Sequence, residues 1–120
     1  MPTKRPLIRF REIVENGHAI LNYTKGMDFP AYQRNQLVKD ASERCLSRLS
    51  ETAVKIGSLG EELLPDHNWR GIRNFGNILR HDYPDLLDAA VWAIIRDYLP
   101  PLLADLETFL SRYPADQETL

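Results

Sequence analysis

An all-α fold, an antiparallel bundle of four to five helices, is what the sequence predicts. Apolar residues recur at spacings of three and four along most of the chain, no long alternating run marks a strand, and glycine or proline punctuates the periodic blocks. With 120 residues, 43% of them hydrophobic and 27% charged, the chain is read as one domain, residues 1–120. A chain of this length can bury roughly two-thirds of its unfolded surface without a metal or disulfide.

Four helical blocks follow in order. The first runs from about Pro6 to Lys25; Pro6 suits a first turn, and Phe10, Ile13, Val14, Gly17, Ile20 and Leu21 form its apolar stripe before Gly26 stops it. In the connection MDFPAYQ, Phe29 and Tyr32 are expected to pack onto the bundle. The second block, about Ala31 to Ile56, buries Leu37, Ala41, Ser42, Cys45, Leu46, Leu49, Ala53 and Ile56. Gly57 and Gly60 end it, and EELLPDHN reads as a loop with Asp66 or Asn68 capping the next helix. The third block spans Trp69 to Asp82, because Pro84 drives Tyr83 out of helical geometry. The fourth starts near Asp85 and carries Leu86, Leu87, Ala90, Val91, Ile94, Ile95, Leu99, Leu102, Leu103, Leu106 and Phe109. Pro100-Pro101 should kink or break it. Residues 114–120 are expected to fray.

Composition excludes several classes. The net charge is −2, so any nucleic-acid binding must come from a local patch, possibly one shared with a second copy. Cys45 is the only cysteine, which rules out an intrachain disulfide and a thiolate metal cluster. The start MPTKRPLIRFRE is basic but lacks a signal peptide's apolar core, and no apolar run is long enough to span a membrane. A cytoplasmic protein is expected. Arg5, Arg9 and Arg11 read as a solvated face. Trp69 and Trp92 read as packing residues.

The candidate site lies in RGIRNFGNILRHDY, residues 70–83. On a wheel of roughly 100° per residue, Arg70, Arg73, Asn77, Arg80 and His81 fall within about 100° of arc. Ile72, Phe75, Ile78 and Leu79 fall opposite. Guanidinium groups grip phosphate in a fork and stabilise charge building on it, and an imidazole moves protons near neutral pH. RNA brings its own nucleophile, the 2′-hydroxyl, so this set suits phosphodiester cleavage without a metal. Metal-ligand spacing is absent, since His18, His67 and His81 are scattered, and no cofactor loop is present. A merely solvated helix face is the plain alternative.

Four stretches carry a resemblance: ILNYTKGMDF at 20–29, RNQLVKDASERCLSRLSETAVKIG at 34–57, WRGIRNFGNILRHDY at 69–83 and VWAIIRDYLPPLLADL at 91–106. In this order they make the chain similar to HEPN-domain toxins of the HepT type, the partners of minimal nucleotidyltransferases in toxin–antitoxin pairs. The resemblance implies a helical bundle paired as a two-fold homodimer, with two Arg-polar…His motifs facing across a cleft to cut RNA without a metal. It further implies a nucleotidyltransferase antitoxin that adds AMP to the tyrosine of a His-any-Tyr element. Carried over, His81 matches the catalytic histidine, Tyr83 the modified tyrosine, and Asn77 the polar residue after the family's arginine. Arg73 is the candidate catalytic arginine, with Arg70 and Arg80 as RNA-binding companions.

The sequence departs from the family at one point. The residue five before His81 is Gly76, and Arg73 lies eight positions upstream. Arg73, Asn77 and His81 would stack at i, i+4 spacing, yet Arg73 and His81 would be about 12 Å apart along a helix. Either an arginine acts across the dimer cleft, or the chain is a non-catalytic helical dimer that binds a nucleotidyltransferase, a nucleotide, or both.

Overall fold

The structure, a computed structural model, describes residues 3–80 and 84–120. These residues form α1 (Pro6–Tyr23), α2 (Phe29–Arg34), α3 (Gln36–Ile56), α4 (Leu59–Leu63), α5 (Trp69–Arg73), α6 (Phe75–Ile78), α7 (Pro84–Ala93), a π-helical turn (Ile94–Tyr98) and α8 (Leu99–Leu110). They include no strand. No helix among them is long and apolar enough to cross a membrane.

The frame is α1 packed along α3 on one side and α8 on the other. Both packings are antiparallel. The Thr3 N–H at the start of α1 bonds the Lys55 carbonyl at the end of α3. Phe10 meets Phe109 edge-on, while Gly17, further along α1, lies against Leu103, earlier on α8. Leu7, Phe10, Ile13 and Ile20 of α1 join Leu46, Leu49, Ala53 and Ile56 of α3 in one core, closed by Leu99, Leu102 and Leu106. Burying such side chains is worth about 1.5–3 kcal/mol each. Cys45 is buried and unpaired.

Several expected blocks are subdivided. The second block breaks at Asn35, whose side chain accepts the Val38 N–H and starts α3 afresh. Phe29 and Tyr32 belong to α2, with Tyr32 fully buried and Phe29 packed against the core. Leu37 is 79% exposed, contrary to expectation. It sits about 120° around the helix from Leu49, off the stripe that the following residues define. The first three residues of the stretch expected as a loop, 61–63, belong to α4, and Gly57 turns the chain toward it with φ of 65°. Leu86 is exposed rather than buried.

The fourth block is interrupted just ahead of the prolines. Leu99 N–H reaches back to the Ile94 carbonyl, closing a π turn, and α8 restarts with Pro100 and Pro101 in its first turn. There a missing N–H costs nothing, since first-turn donors have no partner inside a helix. Beyond Pro114 the chain has no regular structure but is fastened to α1. Arg11 donates to the Pro114 and Gln117 carbonyls, Leu7 N–H to the Glu118 carbonyl, and Arg5 pairs with Glu118. With Arg9 bound to Glu12, the three N-terminal arginines are engaged within the protein.

Candidate functional site

Asn68 begins the site region. Its side chain accepts the Gly71 N–H and caps α5. Trp69 follows and is 1% exposed, its indole N–H donating to the Leu64 carbonyl at 2.8 Å. Its ring lies directly on Gly60, where a Cβ would come within 2.6 Å of Cδ2. Ile72 and Phe75 are buried beside it, while Arg70, Asn77 and Arg80 stay exposed. The expected division into a core face and a polar face therefore holds for these residues.

The expected continuous helix from Trp69 to Asp82 is not what forms over its described part. It breaks at Asn74 between α5 and α6. The break is bridged from outside: the Ser50 hydroxyl on α3 donates to the Arg73 carbonyl at 2.9 Å and accepts the Gly76 N–H at 3.3 Å. One buried hydroxyl thus serves a carbonyl and an N–H at the joint. Ser50→Ala is expected to cost about 1–3 kcal/mol, the penalty for stranding buried main-chain groups. Urea unfolding of the two proteins checks it, and equal stabilities would mean the joint does not depend on Ser50.

The break also divides the cations. Arg70 and Arg73 line one open groove with Asn68 and Asn74. Arg80 lines another with Gly76 and residues of α3. Arg73 is held within the protomer, its two terminal nitrogens each 2.7 Å from a Glu61 carboxylate oxygen, and one of them also reaches the Gly57 carbonyl. Bonding to Arg73 lowers the Glu61 carboxyl below its ordinary pKa and raises that of Arg73. Because the folded-state carboxyl is depressed, the pair contributes fully above the ordinary glutamate value and is lost as pH falls through the lowered one. An anion at neutral pH must therefore compete with Glu61 for Arg73.

Asn77 donates to the Asn74 side-chain oxygen at 2.5 Å and accepts from the Arg80 guanidinium at 3.1 Å. Asn74, Asn77 and Arg80 form a short polar chain along α6 and the turn after it. His81 and Tyr83, the expected catalytic histidine and modified tyrosine, lie outside the described residues. The partners that sequence reasoning missed are Glu61, Ser50 and Asn74. Only Asn74, directly after Arg73, carried a local signal.

A second polar cluster lies on the neighbouring part of α3. Lys39 donates to Asp88 of α7 at 3.1 Å, both side chains being largely buried. Burial, then the charges of Asp40 and Asp88, pushes the Glu43 carboxyl up, with Lys39 opposing. A raised carboxyl works against the fold as pH climbs from the ordinary glutamate value through the raised one, the opposite sign to Glu61.

The described residues thus form an all-helical bundle that presents guanidinium and amide groups along one short, broken helical segment. The model of the HepT-like ribonuclease family, "Ribonuclease HepT-like", matches residues 13–109, and the chain belongs to that family. Curated relatives come from Methanocaldococcus jannaschii. "Putative RNase MJ1380" is 24% identical over 80% of this chain and 88% of the relative, and "Putative RNase MJ1216" is 25% identical over 82% of each. No solved structure gives a significant match.

Proposed function

We propose that the chain is the toxin of a two-gene toxin–antitoxin pair: a homodimeric, metal-independent endoribonuclease acting in the cytoplasm. A cognate nucleotidyltransferase would silence it. The observation that carries the reading is the ribonuclease-family match across residues 13–109, which includes the arginine- and asparagine-rich segment and extends through Tyr83. In the reaction the 2′-oxygen of RNA attacks the adjacent phosphorus and the 5′-oxygen leaves. His81 moves the proton, taking it from the nucleophile or giving it to the leaving oxygen. Asn77 orients the phosphate beside Arg80; Arg70 binds RNA from the other groove, and Arg73 joins by exchanging Glu61 for the phosphate. Silencing attaches AMP to Tyr83: its hydroxyl oxygen bonds the α-phosphorus of ATP, pyrophosphate leaves and the hydroxyl proton is released.

Purified protein should cleave single-stranded RNA in the presence of a chelator, and His81→Ala should slow cleavage roughly a hundredfold, as expected for losing one proton-transfer group. Wild-type protein that leaves RNA intact under those conditions ends the catalytic reading. The second reading is a non-catalytic dimer that docks a nucleotidyltransferase or its nucleotide. It is favoured by Gly76 standing five residues before His81 and by the Glu61 clasp on Arg73. Arg73→Ala separates the two, since it lowers RNA cleavage under the first and changes only complex formation under the second.

A further inference from the structure

With Arg73 clasped by Glu61 and Arg70 lining the other groove, the RNA-cleaving reading lacks a second cation beside Arg80. One stands across the groove. Helix α3 runs beside α6, and between them lies a groove of about 360 Å³ lined by Arg44, Ser47, Asp40 and Glu43 on one side and Gly76 and Arg80 on the other. Arg44 is one turn before Ser47 on α3, and Arg80 one turn beyond Gly76. Among the described residues Arg44 is exposed and forms no ion pair. At Gly76 a Cβ would meet only the Ser50 hydroxyl, at 3.8 Å. No neighbour therefore crowds the place where a side chain at position 76 would begin.

We propose that Arg44 of α3 joins Arg80 in gripping one RNA phosphate over the side-chain-free surface of Gly76, supplying from a neighbouring helix the cation that position 76 lacks. The inference rests on the RNA-cleaving reading and adds a residue to it. Two guanidiniums on opposite walls suit a phosphodiester, because each can donate in fork geometry to a different pair of oxygens. The two acids in the groove oppose the anion. Asp40 accepts from the Gln36 amide at 2.8 Å, and burial, then the charges of Asp40 and Asp88, raises the Glu43 carboxyl, with Lys39 opposing. The groove adjoins His81 in the chain, since Arg80 immediately precedes it.

The test is fluorescence anisotropy of a short labelled single-stranded RNA in a His81→Ala background, titrated across a range of salt, with cleavage assayed separately in the His81-containing proteins. Arg44→Ala and Arg80→Ala should each weaken binding about tenfold and reduce the salt slope by about one. Arg44→Lys, which keeps the charge, should keep most of that slope while losing the fork. Arg44 is exposed, so an unchanged melting curve is expected for its variants. Should Arg44→Ala bind with wild-type affinity and salt slope while the His81-containing protein still cleaves RNA, Arg44 is excluded and the enzymatic reading survives. RNA that neither binds nor is cleaved by the protein overturns both.

Discussion

Replacing Trp69 with alanine is expected to destabilise the protein by about 4 kcal/mol, in the range for emptying a buried aromatic site. Three contacts would go at once: the edge packing on Phe10 with ring centroids 6.0 Å apart, the face laid on Gly60, and the hydrogen bond to the Leu64 carbonyl. The melting temperature should fall by roughly 15 °C for a domain of this size. Trp69→Phe keeps most of the packing but strands the Leu64 carbonyl, so it should lose about 1–2 kcal/mol. Circular dichroism through thermal and urea unfolding measures both. Equal stability in Trp69→Ala would show that the ring is not the anchor of α5. Because Trp69 opens α5, the damage should reach Arg70, Arg73 and the joint at Asn74, and under the proposed RNA-cleaving function, cleavage should fall beyond what the unfolded fraction explains.

Asp88→Ala is the second large effect. Its carboxylate meets Lys39 in a seam where the lysine side chain is 14% and the aspartate 6% exposed. Removing one member of such a pair leaves a desolvated charge, a loss of about 3 kcal/mol. Glu43 stands close enough for Lys39 to affect its titration and would take up part of the orphaned charge, which keeps the loss from reaching the top of that range. Adding Lys39→Met to Asp88→Ala should recover at least half of it, because the uncompensated charge is gone. A double variant no more stable than Asp88→Ala would mean the damage comes from lost packing and not from the charge. The pair ties α7 to α3.

The sequence conveyed what depends on periodicity. The apolar stripes of α1, the later part of α3 and α8 are long enough for three- and four-residue spacing to show, and burial follows them. Its failures occurred where a distant residue decides. Nothing near Asn74 reveals that Ser50, more than twenty positions earlier, can satisfy a broken turn, so residues 69–82 read as one helix. Arg73 looked like a free cation because Glu61 lies in a stretch taken for a loop. Leu37 and Leu86 belong to periodic runs of apolar residues, yet each sits near the start of its helix and is exposed. The sorting of Ile72 and Phe75 inward and Arg70, Asn77 and Arg80 outward was readable, since it depends only on angle about the local axis.

The π turn at Ile94–Tyr98 is in effect one surplus residue spliced into an otherwise ordinary rod. Each added residue swings everything after it by roughly 100°, so this single insertion sets which side of α8 meets α1. Were the turn shortened to regular α geometry, Leu102, Leu103 and Leu106 would rotate away from Phe10 and Gly17, and the prolines would fall where a helix needs their missing N–H groups. The orientation of the whole last helix is thus stored in five residues.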